Sequence, residues 1–161
     1  QYPLRDLAIG EVKDILLYIT DKSEIRAIEI NFPNSTAIST IYHTSQIIMP
    51  SHIAIHPKEK IVYWSDVHLR EIKSVKLSTS ITPTDKKIET ILDADIDNVH
   101  GFAVDYNSGL LYFSQTIPEE EEREGGGGGH RLMLSNMKGE YLTKLLDNVN
   151  VIYSIIVATD R

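Results

Sequence analysis

Asp21, Asp66 and Asp105 recur in matching settings, each closing an apolar, β-branched run. Carboxylates repeated in this way admit two chemistries. Converging on one point they would hold a calcium ion; at separate turns they would cap local backbone amides. Recurrence in successive copies favours the caps, because a catalytic or metal-binding pair breaks the symmetry of a repeat and nothing here does so. The six histidines are His43, His52, His56, His68, His100 and His130. His52 and His56 are four apart, yet Pro57 follows and the segment reads as strand, so the spacing of a zinc-binding helix is not present. Imidazole titrates in the mildly acidic range; pH sensing is one reading of these residues, and ordinary surface or loop placement is the favoured one. There is no Gly-x-Ser-x-Gly elbow and no Gly-x-x-x-x-Gly-Lys phosphate loop. The expectation is therefore no catalytic, cofactor-binding or metal site.

The elements that carry these residues are repeated. Ile53-Ala54-Ile55-His56 precedes Ile61-Val62-Tyr63-Trp64-Ser65-Asp66; Phe102-Ala103-Val104-Asp105 precedes Leu110-Leu111-Tyr112-Phe113-Ser114-Gln115; an earlier copy ends Leu16-Leu17-Tyr18-Ile19-Thr20-Asp21. Tyr18, Tyr63 and Tyr112 are spaced by 45 and then 49 residues. A period of roughly 40–50 marks a unit that hides its apolar faces only by stacking on its neighbours. In the second copy, 53–55 is a short buried strand, 56–60 a turn with a proline, 61–64 a β-branched and aromatic strand, and 65–66 its close. Ile72–Leu77 gives a third strand and Lys87–Leu92, alternating polar and apolar, a fourth with one wet face. The third strand recurs at 25–30 and 132–137, the fourth at 37–41 and 141–146, with Lys138-Gly139 as a turn. Alternation is close to two throughout, which predicts an all-β chain. Four short antiparallel strands per repeat describe a propeller blade.

The 161 residues suit one domain, and 42% hydrophobic content is enough for a packed core. A net charge of −7 removes the electrostatic footing for nucleic acid. No apolar run reaches the roughly 18–20 residues of a membrane span, so no direct membrane contact is expected. Cysteine is absent, which excludes a disulfide scaffold and thiolate metal sites. Asn34-Ser35-Thr36 is a glycosylation acceptor sequence if the chain passes through a secretory route.

Tyr63-Trp64-Ser65-Asp66, with Ile-Ala-Ile ten residues before the tyrosine, resembles the YWTD repeat, the class B repeat of the low-density lipoprotein receptor family. The resemblance covers about residues 4–158. Tyr18-Ile19-Thr20-Asp21 looks like an opening blade, and His100–Tyr106 resembles the inner-strand motif that precedes the next Tyr-Trp-Thr-Asp. Ile19 and Phe113 depart from the tryptophan, Gln115 from the aspartate, and His56 and Ala158 stand where Asp105 has the acidic residue. These departures predict that some blade-to-blade hydrogen bonds are absent.

The resemblance implies a partial β-propeller of the six-bladed type with four-stranded antiparallel blades. Residues 1–161 form one unit: blade 1 about 4–48, blade 2 about 49–97, blade 3 about 98–148, and a first strand of blade 4 about 151–158. Tyr18, Asp21, Tyr63, Trp64, Asp66, Asp105 and Tyr112 are the structural repeat positions, with Tyr63, Trp64, Tyr112 and Phe113 as core between blades. Tyr2, Tyr106 and Tyr153 lie near turns, within reach of a surface. Gln1 is not a start methionine and three blades do not close a six-bladed ring, so a fragment is expected, with edges that pair with further blades or another chain.

The function implied is protein binding or scaffolding in the ectodomain of an endocytic or signalling membrane receptor. The expected setting is extracellular or the secretory lumen, with a protein ligand and adjacent receptor modules as partners and no enzyme activity or cofactor. Acid-triggered ligand release by histidines is known in the family, but no histidine here matches a family position. Two alternatives remain: a metal-dependent propeller enzyme of lactonase type, and a degenerate non-functional fragment. The insertion 118–129, with Glu119–Glu122 and five consecutive glycines, reads either as a disordered loop, the favoured reading, or as an acidic lure for a basic ligand.

Overall fold

The computed structural model describes residues 4–10, 15–20, 24–29, 40–42, 46–77, 87–117 and 129–158. The strands are β1 (Leu4–Gly10), β2 (Ile15–Thr20), β3 (Ile25–Glu29), β4 (Thr40–Tyr42), β5 (Pro50–His56), β6 (Ile61–Asp66), β7 (Glu71–Lys76), β8 (Glu89–Leu92), β9 (Val99–Asp105), β10 (Leu110–Thr116), β11 (His130–Asn136) and β12 (Thr143–Val149). They form three four-stranded antiparallel sheets, β1-β2-β3-β4, β5-β6-β7-β8 and β9-β10-β11-β12. Each sheet is a meander in which every strand pairs with the next in sequence. The first strands approach one another, β1 against β5 and β5 against β9, so they are the inner strands of three adjacent blades. This is the all-β, bladed architecture that the repeat predicts.

The pleat explains why one strand serves two interfaces. Successive side chains of a strand point to opposite faces. In β6, Val62 and Trp64 enter a cluster with Ile19, Ile25, Ile47, Ile53, Ile55 and Val75, which joins blades 1 and 2. Tyr63 points the other way, into a cluster with Ala54, Ile72, Leu92, Val99, Phe102, Leu111, Phe113 and Met133, which joins blades 2 and 3. Trp64, Ile19 and Phe113 are all at most 1% exposed. The departures from tryptophan are therefore changes of size within filled core positions. Burying each such side chain contributes about 2–3 kcal/mol.

Three expectations are corrected. Tyr112 matches Tyr63 by repeat and pairs across the ladder with Ala103 and Leu134, but it is only half-buried. It lies on the face of blade 3 away from blade 2, and no further sheet lies against that face among the described residues. Residues 151–158 form no strand. A strand needs a partner to ladder with, and none is offered among the described residues; Ile152 O instead accepts from Ser114 Oγ of β10 at 2.6 Å. A Cβ on Gly101 would stand 3.0 Å from that same carbonyl, so the glycine permits the close approach. Finally, the last strand of the third sheet begins at Thr143 rather than 141, because Tyr141 takes a positive φ of 60° and belongs to the turn.

The insertion leaves the ladder intact. Ile117 N donates to Gly129 O at 2.9 Å, and Thr116 pairs with His130 directly beside it. Residues 118–128, Tyr2, Asp21, Asn34 and His43 lie outside the described residues, as do the side chain of Tyr18 and residues 37–39 of one predicted strand.

Candidate functional site

The repeated polar residues are occupied at two ends of the blades. At one end, Asp66 closes β6 and is 1% exposed. Its Oδ2 accepts from Ile48 N at 2.8 Å and Met49 N at 3.0 Å, in the linker that enters blade 2. Its Oδ1 accepts from His68 N and Leu69 N, both at 3.1 Å, in the following turn. Four amide donors fill the lone pairs of one carboxylate. Gln115 holds the same position in blade 3 and is also buried. Its Oε1 accepts from Asp97 N at 3.1 Å and its Nε2 donates to Asp95 O at 2.8 Å. The amide thus ties the corresponding linker with one acceptor and one donor. Arg70 adds an ion pair to Asp97 at 3.3 Å and a bond to Ile96 O, so the blade 2 turn is held to the blade 3 entry.

At the opposite end, Asp105 Oδ1 accepts from Asn107 N and Ser108 N, at 3.1 and 3.2 Å. A hydrogen bond from the Ser108 side chain, ahead of these backbone bonds, holds the carboxyl below its usual range against the opposing effect of burial. His56 replaces it in blade 2, and its Nδ1 accepts from Glu59 N at 3.3 Å. The bonds of Asp105 lie within its own turn, and the imidazole of His56 caps the corresponding turn of blade 2. The two turns also meet. The His56 and Tyr106 rings are 5.8 Å apart, and Lys58 Nζ stands 5.1 Å from the Tyr106 ring centroid, within cation–π range.

Between blades 2 and 3, opening on this turn-bearing end, runs a cleft of about 660 Å³. β6 supplies Ile61 and Tyr63, β8 supplies Glu89 and Ile91, and the β5–β6 turn supplies Glu59. The β11–β12 turn brings Met137 and Lys138 as the facing wall. Gly139 sets how closely that wall approaches: its φ is 80°, and a Cβ there would overlap the Ile91 carbonyl. Tyr63 is 3% exposed. Burial first, then the charges of Glu59 and Glu89, push its pKa up to about 12. The phenol is therefore neutral at physiological pH. Sequence reasoning missed this cleft, because it read Tyr63 as core and Glu59 and Glu89 as surface.

The described histidines do not gather into a ligand set. Among the described residues, no group of three or more His, Asp or Glu is placed to hold a metal ion. His100 and His130 do meet, with ring centroids 4.9 Å apart, and His100 Nε2 lies 3.0 Å from Thr116 Oγ1. Burial, then the neighbouring His130 and His52, lower the pKa of His100, against an opposing effect of Asp97. Tyr153 stacks edge-on to His100 and is 73% exposed. No helix among the described residues is long and apolar enough to cross a membrane.

Comparison with known structures supports the architecture. A propeller chain from the crystal structure of the nidogen/laminin complex matches with a TM-score of 0.70 and 17% identity, over 90% of this chain and 48% of that one. The acylaminoacyl peptidase of Pyrococcus horikoshii matches with a TM-score of 0.59 and 15% identity, over 88% and 24%. A Bacteroides uniformis protein assigned as a 6-phosphogluconolactonase matches at 0.55 and 12%, over 92% and 41%. The chain spans about half the length of the nidogen/laminin chain it matches. At these identities the likeness is one of fold. No family model matches the chain.

Proposed function

We propose that this chain is a protein-recognition module, part of an extracellular β-propeller of YWTD type that belongs to a receptor-like parent. The observation that carries the reading is the likeness, over 90% of the chain, to a propeller chain of the nidogen/laminin complex. The use of the repeated polar residues supports it. Asp66, Gln115, Asp105 and His56 all spend their polar atoms on turns and linkers, as scaffold residues do. What remains for recognition is the turn-bearing end, where Lys58, Tyr106 and the cleft stand side by side. A tyrosine on a rigid frame is a common anchor of a protein interface. In this reading the module does no covalent chemistry, carries no cofactor, and works outside the cell or in the secretory lumen.

The test is binding of the biotinylated chain to a panel of secreted and extracellular-matrix proteins. Saturable binding is expected to at least one, weakened about tenfold in a Lys58→Ala/Tyr106→Ala variant that keeps the melting temperature. Absence of saturable binding across the panel, or turnover of a lactone substrate, contradicts the reading.

A further inference from the structure

We propose that the outer face of blade 3 is a docking groove for one extended β-strand of a partner polypeptide, which ladders on residues 151–158 and lays alternate apolar side chains over Tyr112, Leu132 and Leu146. The repeat shows what this face is built to meet. By ladder register Tyr112 matches Tyr63, each opposite an alanine of its first strand. Leu132 matches Ile72, each opposite a serine of its second strand, and Leu146 and Leu92 pair with them. Tyr63, Ile72 and Leu92 are at most 6% exposed, whereas Leu146 is 49% exposed and Tyr112 and Leu132 are half-buried. In β7 the four residues 72–75 are all buried; in β11 burial alternates, with Arg131, Met133 and Ser135 inside and Leu132 and Leu134 half-open. Among the described residues, one face is thus covered in blade 2 and open in blade 3.

What covers the face in blade 2 defines the occupant. Two strands do so: β9 brings Val99 and Phe102, and β10 brings Leu111 and Phe113. On blade 3 the place beside Gly101 and Ser114 is taken by Ile152 and Ile155, within residues 151–158. That segment lies where a first strand belongs, yet it ladders with no described strand, and its Ile156 is 88% exposed. No described strand stands on blade 3 where β10 stands on blade 2. One antiparallel strand answers both deficits. Its backbone pairs with the unladdered backbone of 151–158, and its inward side chains, two residues apart like Leu111 and Phe113, cover the open apolar face. Ladder bonds supply affinity in this mode and the alternate side chains supply specificity. The partner strand is apolar rather than ionic, because the charges of β12, Lys144 and Asp147, already pair with each other at 2.6 Å.

The probe is a peptide with the sequence of β10, Leu110–Thr116, acetylated and amidated, added to the ¹⁵N-labelled 161-residue chain. The expected result is a saturable shift of the amides of 151–158, Tyr112, Leu132 and Leu146, with new hydrogen-exchange protection at alternate amides of 151–158. Two further peptides carry N-methyl groups at alternate residues, in the two possible frames. Only one edge of the peptide pairs, so one frame is expected to bind and the other not. Binding is expected to weaken about tenfold in Leu146→Asp, whose exposed position leaves the fold of the free chain intact. Equal binding of the two methylated peptides, unchanged affinity in Leu146→Asp, or no saturable shift would each overturn the groove. Sedimentation of the free chain as a dimer, with 151–158 already protected, would give the face to a second copy and overturn it as well. None of these outcomes bears on recognition by Lys58 and Tyr106, which lie on turns outside this face.

Discussion

Lys60 and Gly109 stand at the same place in successive blades, and both take a positive φ, 56° and 70°. Each ends the turn between the first two strands of its blade. A side chain in the left-handed region costs roughly 1–2 kcal/mol, which glycine avoids. Lys60→Gly is therefore expected to stabilise the chain by about 1 kcal/mol in urea unfolding. A loss of stability would mean that the Lys60 side chain holds the turn in a way its backbone does not reveal.

Asp66 and Gln115 share a position but not a bonding pattern. Asp66 accepts four amide bonds, so Asp66→Asn turns a donor group toward backbone N–H donors. The expected cost is about 2–3 kcal/mol. Gln115→Glu removes the donor to Asp95 O and sets a carboxylate against a carbonyl, with a similar cost. Chemical denaturation of both variants checks the pair, and a near-zero change in either one denies its bonding role.

Trp64 fills the blade 1–2 interface, while its indole N–H is buried without a hydrogen-bonding partner among the described residues. Trp64→Phe removes that orphaned donor along with some area, so the two effects partly offset. A loss of about 1 kcal/mol is expected for Trp64→Phe, against about 3–5 kcal/mol for Trp64→Ala. Equal losses in the two variants would show that the N–H is bonded.

His100 is expected to make stability depend on pH. Its folded pKa lies below the ordinary 6.5, so between that lowered value and 6.5 the unfolded chain binds more protons. Stability then rises with pH through this window and is lost as pH falls through it. Melting temperatures measured from pH 7.5 to pH 5 should drop on acidification, and the drop should shrink in His100→Asn. The groups facing His100 are His130, Tyr153, Thr116, His52 and Asp97, so a slope unchanged in the variant would assign the effect to another group.

The blades were legible in the sequence because apolar alternation and tyrosine spacing are local signals. Ile61-Val62-Tyr63-Trp64 reads as a β-branched and aromatic strand, and β6 uses each of its faces for a different neighbour. The roles of Asp66 and Asp105 were legible as caps, but not the reach of Asp66 back to Ile48 and Met49, which depends on how the linker enters the next blade. The cleft was hidden for a similar reason. Glu59 and Glu89 are thirty residues apart and come together only through the β6–β7 and β7–β8 ladders, where Tyr63 pairs with Ser74 and Ser74 with Glu89. A hydroxylated aromatic in an otherwise apolar run was the one signal that pointed there. The strand expected at 151–158 failed because strand identity belongs to a pair of segments, and one segment alone does not determine it.

The most direct measurement is a methyl-selective NOE experiment on the rings of Trp64 and Tyr63. If adjacent blades stack face to face, Trp64 will contact methyl groups of the cluster holding Ile19, Ile25 and Ile47, and Tyr63 those of the cluster holding Leu111 and Met133, with no exchange between the sets. Contacts from both rings to one shared set of methyls would place the two side chains in a single core and contradict the bladed arrangement.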